Sequence, residues 1–149
     1  MTRPSHAVTV NGRMTLALKP KDGRTPEDEV ARWVGLLDGK EWYSVILWKV
    51  PEGKDFDEID FEAVDEYIQC AGSADQGLTC EIREDGQQYV LGRPATGELT
   101  ADRVIEWDGT RSTVQENEVL DRDETTELFV SYLKTGAEPP GFVRRPIDV

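Results

Sequence analysis

Leu78 to Leu91 reads LTCEIREDGQQYVL. Leu78, Cys80 and Ile82 alternate with Thr79, Glu81 and Arg83, a period of two that puts the apolar side chains on one face of a strand. Asp85-Gly86 follows, a pair that tolerates the positive φ values of a type I′ turn, and Gln87 to Leu91 runs back. The same signature recurs on either side of this hairpin. Upstream, Val8 and Val10 alternate with polar residues, Asn11-Gly12 supplies the turn, and Met14, Leu16 and Leu18 continue the alternation. Downstream, Arg103 to Trp107 turns at Asp108-Gly109 into Thr110 to Gln115. Three hairpins of this kind predict a largely antiparallel sheet.

Between and after the hairpins, the apolar spacing changes to a helical period. Thr25 caps a helix with Pro26 at its first position and Asp28 as a capping-box partner; Val30, Trp33, Val34 and Leu37 form its stripe, and Gly39 ends it. Trp42 to Val50, WYSVILWKV, is apolar on both faces and reads as a central strand covered on both sides, broken by Pro51 and Gly53. A second helix is expected after an acidic loop at residues 52–59, capped by Asp60, with Phe61, Val64, Ile68 and Ala71 facing inward and a loop from Gly72 to Gly77. The last helix is expected from an Asp121 cap with Glu124 as its partner; Leu128, Phe129, Tyr132 and Leu133 make the buried face. Gly136 is its left-handed stop, Lys134 suits the negative end of the dipole, and Pro139-Pro140 opens a tail that cannot continue the helix. The fold class read from this order is α+β, a single domain over residues 1–149, with a mainly antiparallel sheet of hairpins and about three packed helices.

Charge is the strongest compositional signal. The 149 residues carry 30 acidic and 17 basic side chains, a formal net charge of -13. Arg3, Arg13, Lys19, Lys21 and Arg24 face only Asp22 in residues 1–24, which leaves 12 cations against 29 carboxylates in residues 25–149. A field of that sign repels nucleic acid and anionic membranes and speeds encounter with basic partners, so neither direct nucleic-acid binding nor membrane binding is expected. Solubility alone also accounts for such a charge. No apolar run approaches the ~20 residues that cross a bilayer, the start MTRPSHAVTV has no signal-peptide hydrophobic stretch, and a cytoplasmic protein is expected. Cys70 and Cys80 are two thiols, neither a disulfide framework nor a zinc site, and are expected free and partly buried.

Groups for catalysis are scarce. His6 is the single histidine and stands near the N-terminus, where a solvent-facing or strand-edge role is expected. No paired-histidine or clustered-cysteine metal motif and no phosphate-cradling glycine loop is present. The run DFDEIDFEAVDE lacks the sixth-position glycine and ligand spacing of a calcium loop. No catalytic residue, cofactor or metal is therefore assigned. Two segments concentrate carboxylates instead. Asp55, Asp57, Glu58, Glu62, Asp65 and Glu66 in the first, and Glu116, Glu118 and Asp123 in the second, are the candidate partner-binding residues. The competing reading is a solvated helix face or cap, which Asp60, Asp121 and Glu124 already fill. Trp48 and Trp107 are expected in the core, and either would be a strong anchor if exposed.

The C-terminal helix ending at Phe129, Leu133 and Thr135-Gly136, followed by Pro139, resembles immunity protein family 1 of bacterial polymorphic toxin systems. Members often close with a TG-x-x-P stretch, matched here by Thr135-Gly136-Ala137-Glu138-Pro139, and Arg144 or Arg145 stands near the place of a family tryptophan. The Val104-to-Trp107 hairpin, the acidic linker at Glu116 to Asp121 and the small size are also similar. The resemblance implies an α+β inhibitor, not an enzyme, that binds a cognate secreted toxin domain, a nucleic-acid deaminase or a nuclease. Such a toxin binds a polyanion and has a basic cleft that an acidic surface could cover. A DNA-mimic regulator of a nucleic-acid-binding protein shares the acidic surface and stays open, as does a small carboxylate-dependent enzyme, which would need a deep pocket with a carboxyl of raised pKa.

Overall fold

The computed structural model describes residues 5–18, 23–51, 59–60, 64–94 and 102–148. Within them the chain is α+β. In order the elements are β1 (His6–Val10), β2 (Met14–Leu18), α1 (Pro26–Leu36), β3 (Ser44–Lys49), β4 (Tyr67–Ser73), β5 (Gly77–Glu84), β6 (Gln87–Gly92), β7 (Asp102–Trp107), β8 (Thr110–Gln115), α2 (Arg122–Thr135) and β9 (Val143–Ile147). A seven-stranded sheet runs β2-β1-β3-β4-β5-β6-β9, and β7 and β8 form a separate two-stranded ribbon. Every pairing is antiparallel.

Local chemistry places most of these elements where the sequence predicts them. Asp85 and Gly86 take φ of 52° and 78°, so β5 and β6 are joined by the expected tight turn. Thr25 accepts from the Asp28 amide while Asp28 accepts from the Thr25 amide, a reciprocal cap for α1. Asp121 and Glu124 do the same for α2, and Gly136 at φ 79° stops it with its N–H on the Tyr132 carbonyl.

The two helices cover one face of the large sheet. Val45, Cys70, Cys80 and Leu91 lie side by side across β3 to β6, and with Val8, Leu47, Ile68 and Ile82 they meet Val30, Trp33 and Val34 of α1 and Leu128, Phe129 and Tyr132 of α2. Burying a side chain the size of Phe129, which is 0% exposed, contributes roughly 1.5–3 kcal/mol. The opposite face is covered in two places. Ala7 and Trp48 pack with Val50, Ile59 and Val64, and Val90 packs with Ile105 and Val114 of the β7–β8 ribbon. β3 is thus covered on both sides, as its apolar sequence requires.

Two expectations fail. The stretch read as a second helix is strand β4 from Tyr67 to Ser73; Phe61 and Glu62 lie outside the described residues. Its apolar residues satisfy both periods, because Ile68 and Cys70 also alternate with Tyr67 and Gln69. The tie is broken from outside. β4 hydrogen-bonds to β3 on one edge and β5 on the other, and a helix here would leave the facing edge of each unpaired. The described residues therefore contain two α-helices rather than three, with a short 3-10 turn at Glu116–Glu118. The proline-bearing tail, which the sequence reads only as unable to continue the helix, returns as β9 beside β6. An edge strand tolerates Pro146, and Pro146 with Arg144 and Arg145 guards that edge against further pairing. The other edge, β2, reads MTLAL and carries no charge.

Candidate functional site

The two acidic segments do not merge into one surface. Leu120, just before α2, bridges to Leu78 at one end of β5. Arg83, at the other end of β5, pairs with Tyr67, directly after Asp65 and Glu66. Five strand steps separate these points, roughly 17 Å. Asp65 and Glu66 are exposed at one end of the sheet; Glu116 and Asp123 are exposed at the other. Glu116 stands 3.8 Å from Arg103 with both side chains more than half exposed, a pairing of little energetic consequence. Asp123 sits in the first turn of α2, where it suits the positive end of the helix dipole. Asp55, Asp57, Glu58 and Glu62 lie outside the described residues.

Glu118 is not a surface residue. Its side chain is 3% exposed and accepts two bonds from Arg145, at 2.8 and 2.9 Å, and one from the Gln115 amide at 2.8 Å. A carboxylate so engaged is a tie between the 3-10 turn and β9, unavailable to a partner. Sequence reasoning counted it with its exposed neighbours because the arginine that buries it lies 27 positions away.

The end that holds Asp65 and Glu66 is concave. An open groove of about 1380 Å³ lies between the last turn of α2, the β5–β6 turn, residues 59–60 and 64–66, and the ends of β1 and β3. Among the described residues, five carboxylates line it: Asp60, Asp65, Glu66, Glu84 and Asp85. Three cations oppose them, Lys49, Arg83 and Lys134. Arg83 is already engaged: its Nε donates to Asp65 at 2.6 Å and its Nη1 to Gln88 at 3.2 Å, and the Asp65 bond raises its pKa further. The C-terminal end of α2 adds its own partial negative charge to the same wall.

Sequence reasoning missed Glu84, Asp85 and Tyr132 as members of this groove. Asp85 reads as hairpin turn and Tyr132 as helix core, and both readings are correct; Glu84 is the last residue of β5, and the groove arises only because this turn and the helix end meet. Burial, then the charges of Glu66 and Glu84, push the Tyr132 phenol up to about 12. Glu84 also accepts from Arg144 at 3.1 Å, while Arg144 holds Glu138 in a second pair that keeps the Glu138 carboxyl below its ordinary range. His6 lines the groove with Nδ1 2.8 Å from the Ser5 hydroxyl, and burial followed by the Lys49 charge lowers its pKa. Trp48 is buried as expected, with its indole N–H donating to Thr9 at 3.3 Å, and Trp107 is half-buried against the ribbon's cluster.

Cys70 and Cys80 face each other across β4 and β5, both fully buried rather than partly so. Burial pushes the Cys70 thiol up to about 12. At pH 7 its thiolate fraction is therefore about a thousandfold below that of an ordinary thiol. Iodoacetamide is expected to leave both cysteines of the folded protein unmodified over hours and to alkylate both at once in denaturant, read by mass spectrometry. Rapid labelling of the folded protein would contradict this packing.

Among the described residues, no group of three or more His, Cys, Asp or Glu side chains is arranged to hold a metal ion. No described helix is long and apolar enough to cross a membrane. No protein-family model matches the chain, and no curated protein matches it either.

Proposed function

We propose that the chain is an immunity-type binding protein. It neutralises a secreted toxin that acts on nucleic acid, a deaminase or a nuclease, by laying its grooved acidic end over the toxin's basic substrate cleft. The observation that carries this reading is the groove, where separate chain segments bring Asp60, Asp65, Glu66, Glu84 and Asp85 together beside the negative end of α2. The net charge of -13 extends the attraction beyond contact range, and the Thr135-to-Pro139 stretch resembles the immunity family. Inhibition then needs no bond-making by this chain: covering the cleft excludes the polyanionic substrate, and protection takes place in the cytoplasm of the producing cell. An interface of about 1,600 Å² in total suffices when a few anchors are well buried.

The test is co-purification with the product of the adjacent reading frame, followed by stopped-flow association at low and high salt. A stable complex is expected, with association falling about tenfold or more as salt rises from about 50 to 500 mM. Glu66→Gln combined with Asp85→Asn at the groove is expected to slow association several-fold. Glu116→Gln combined with Asp123→Asn, at the far end, alters only the general field and has a smaller effect. No complex with the genomic neighbour, or an association rate indifferent to both salt and the groove pair, would sink the proposal.

A further inference from the structure

The groove contains a polar group that the fold itself leaves unused. Tyr132 is 7% exposed, lines the groove and packs its ring in the main core. Among the described residues its hydroxyl makes no hydrogen bond. The ring is buried while the hydroxyl opens into the groove, since it is not among the buried side-chain atoms that lack a partner, and there it is free to bond an incoming group. Glu66 and Glu84 stand close enough for their charges to act on this phenol. Glu66 has no ion-pair partner among the described residues, and Glu84 has one oxygen on Arg144. The last turn of α2, from which Tyr132 projects, adds the negative end of the helix dipole.

We infer that this corner of the groove is an arginine subsite, in which a guanidinium from the partner lies between Glu66 and Glu84 and donates to the Tyr132 hydroxyl. The inference rests on the binding role proposed above and names the partner group that the groove takes. Two carboxylates and a hydroxyl lining one groove match a planar fork of five donors better than the single point charge of an ammonium. The chain's own lysines in the groove, Lys49 and Lys134, are ammonium groups on flexible stems and cannot supply that fork. Arg83, the groove's own guanidinium, is held by Asp65 and Gln88.

The subsite can be tested without the partner. N-acetyl-arginine amide, N-acetyl-lysine amide and N-acetyl-norleucine amide are titrated into the full chain, and the backbone amide signals of Gly86 and Gly136 are followed by NMR, since both survive in every variant. The arginine probe is expected to produce saturable shifts at both glycines, with an affinity at least about fivefold above the lysine probe, and the norleucine probe none. Tyr132→Phe removes a hydroxyl with no internal partner, so its thermal midpoint should match the parent while the arginine affinity falls about tenfold. Glu66→Gln should weaken the probe similarly. Equal affinity for the arginine and lysine probes, or an unchanged arginine affinity in Tyr132→Phe, overturns the inference. Arginine binding without any complex with the neighbouring gene product would sink the toxin reading and leave the subsite. A toxin complex in a protein whose groove ignores arginine would do the reverse.

Discussion

Gly72→Ala is expected to lower stability by about 3–5 kcal/mol, a large part of the 5–15 kcal/mol typical of a folded domain. Gly72 lies near the end of β4 at φ 120°, a conformation that an L side chain rarely adopts. A Cβ there would stand 2.5 Å from the Gly77 carbonyl oxygen and 2.9 Å from Cγ2 of Ile105. The first neighbour is backbone, held in register by the β4–β5 pairing, and cannot retreat without opening the ladder. The second anchors the β7–β8 ribbon onto the sheet. Backbone strain and overlap therefore add at one position. Gly86→Ala is the control. Gly86 has φ 78° but nothing within 4 Å of the added carbon, so only the left-handed penalty of about 1 kcal/mol remains. Urea unfolding at constant m separates the two, and matching midpoints would show that the β4–β5 corner is not packed as described.

Arg145→Met is expected to cost about 2–4 kcal/mol, because it leaves the Glu118 carboxylate buried without its counter-charge. The lower part of the usual range applies, since the Arg145 side chain is 38% exposed and water can reach the vacated space. The Gln115 amide still donates to Glu118 but cannot replace two charge-assisted bonds. The loss should be felt first at β9, whose pairing with β6 that ion pair braces. Glu118→Met together with Arg145→Met removes both charges and is expected to recover at least half of the lost stability. Thermal unfolding of the single and double variants measures this. A double variant less stable than Arg145→Met alone would mean that the pair is not the cause.

The same two positions show where sequence reading stops. In the sequence Gly72 marks the start of a loop, since glycine suits both loops and the close approach of two strands. Glu118 stands in the sequence as one of six carboxylates between Glu116 and Glu127. Gly77 and Ile105 crowd the first, and Arg145 buries the second, only in the folded chain. The groove has the same character. Asp65 and Glu66 were legible as acidic, but Glu84 and Tyr132 join them only through the packing of α2 against the sheet.

Three turns, two capped helices and the stop at Gly136 are written locally, because each depends on backbone angles and hydrogen bonds among residues a few positions apart. From the residues alone follow the antiparallel hairpins, the α+β class and the excess of negative charge. Strand order, the choice of strand over helix for Tyr67–Ser73, the return of the tail as β9 and the meeting of Glu66 with Tyr132 required the assembled molecule. The reason is one of range. A turn or cap is satisfied by its neighbours, whereas a ladder edge, a buried carboxylate or a groove is completed by groups tens of residues away, which only packing brings within reach.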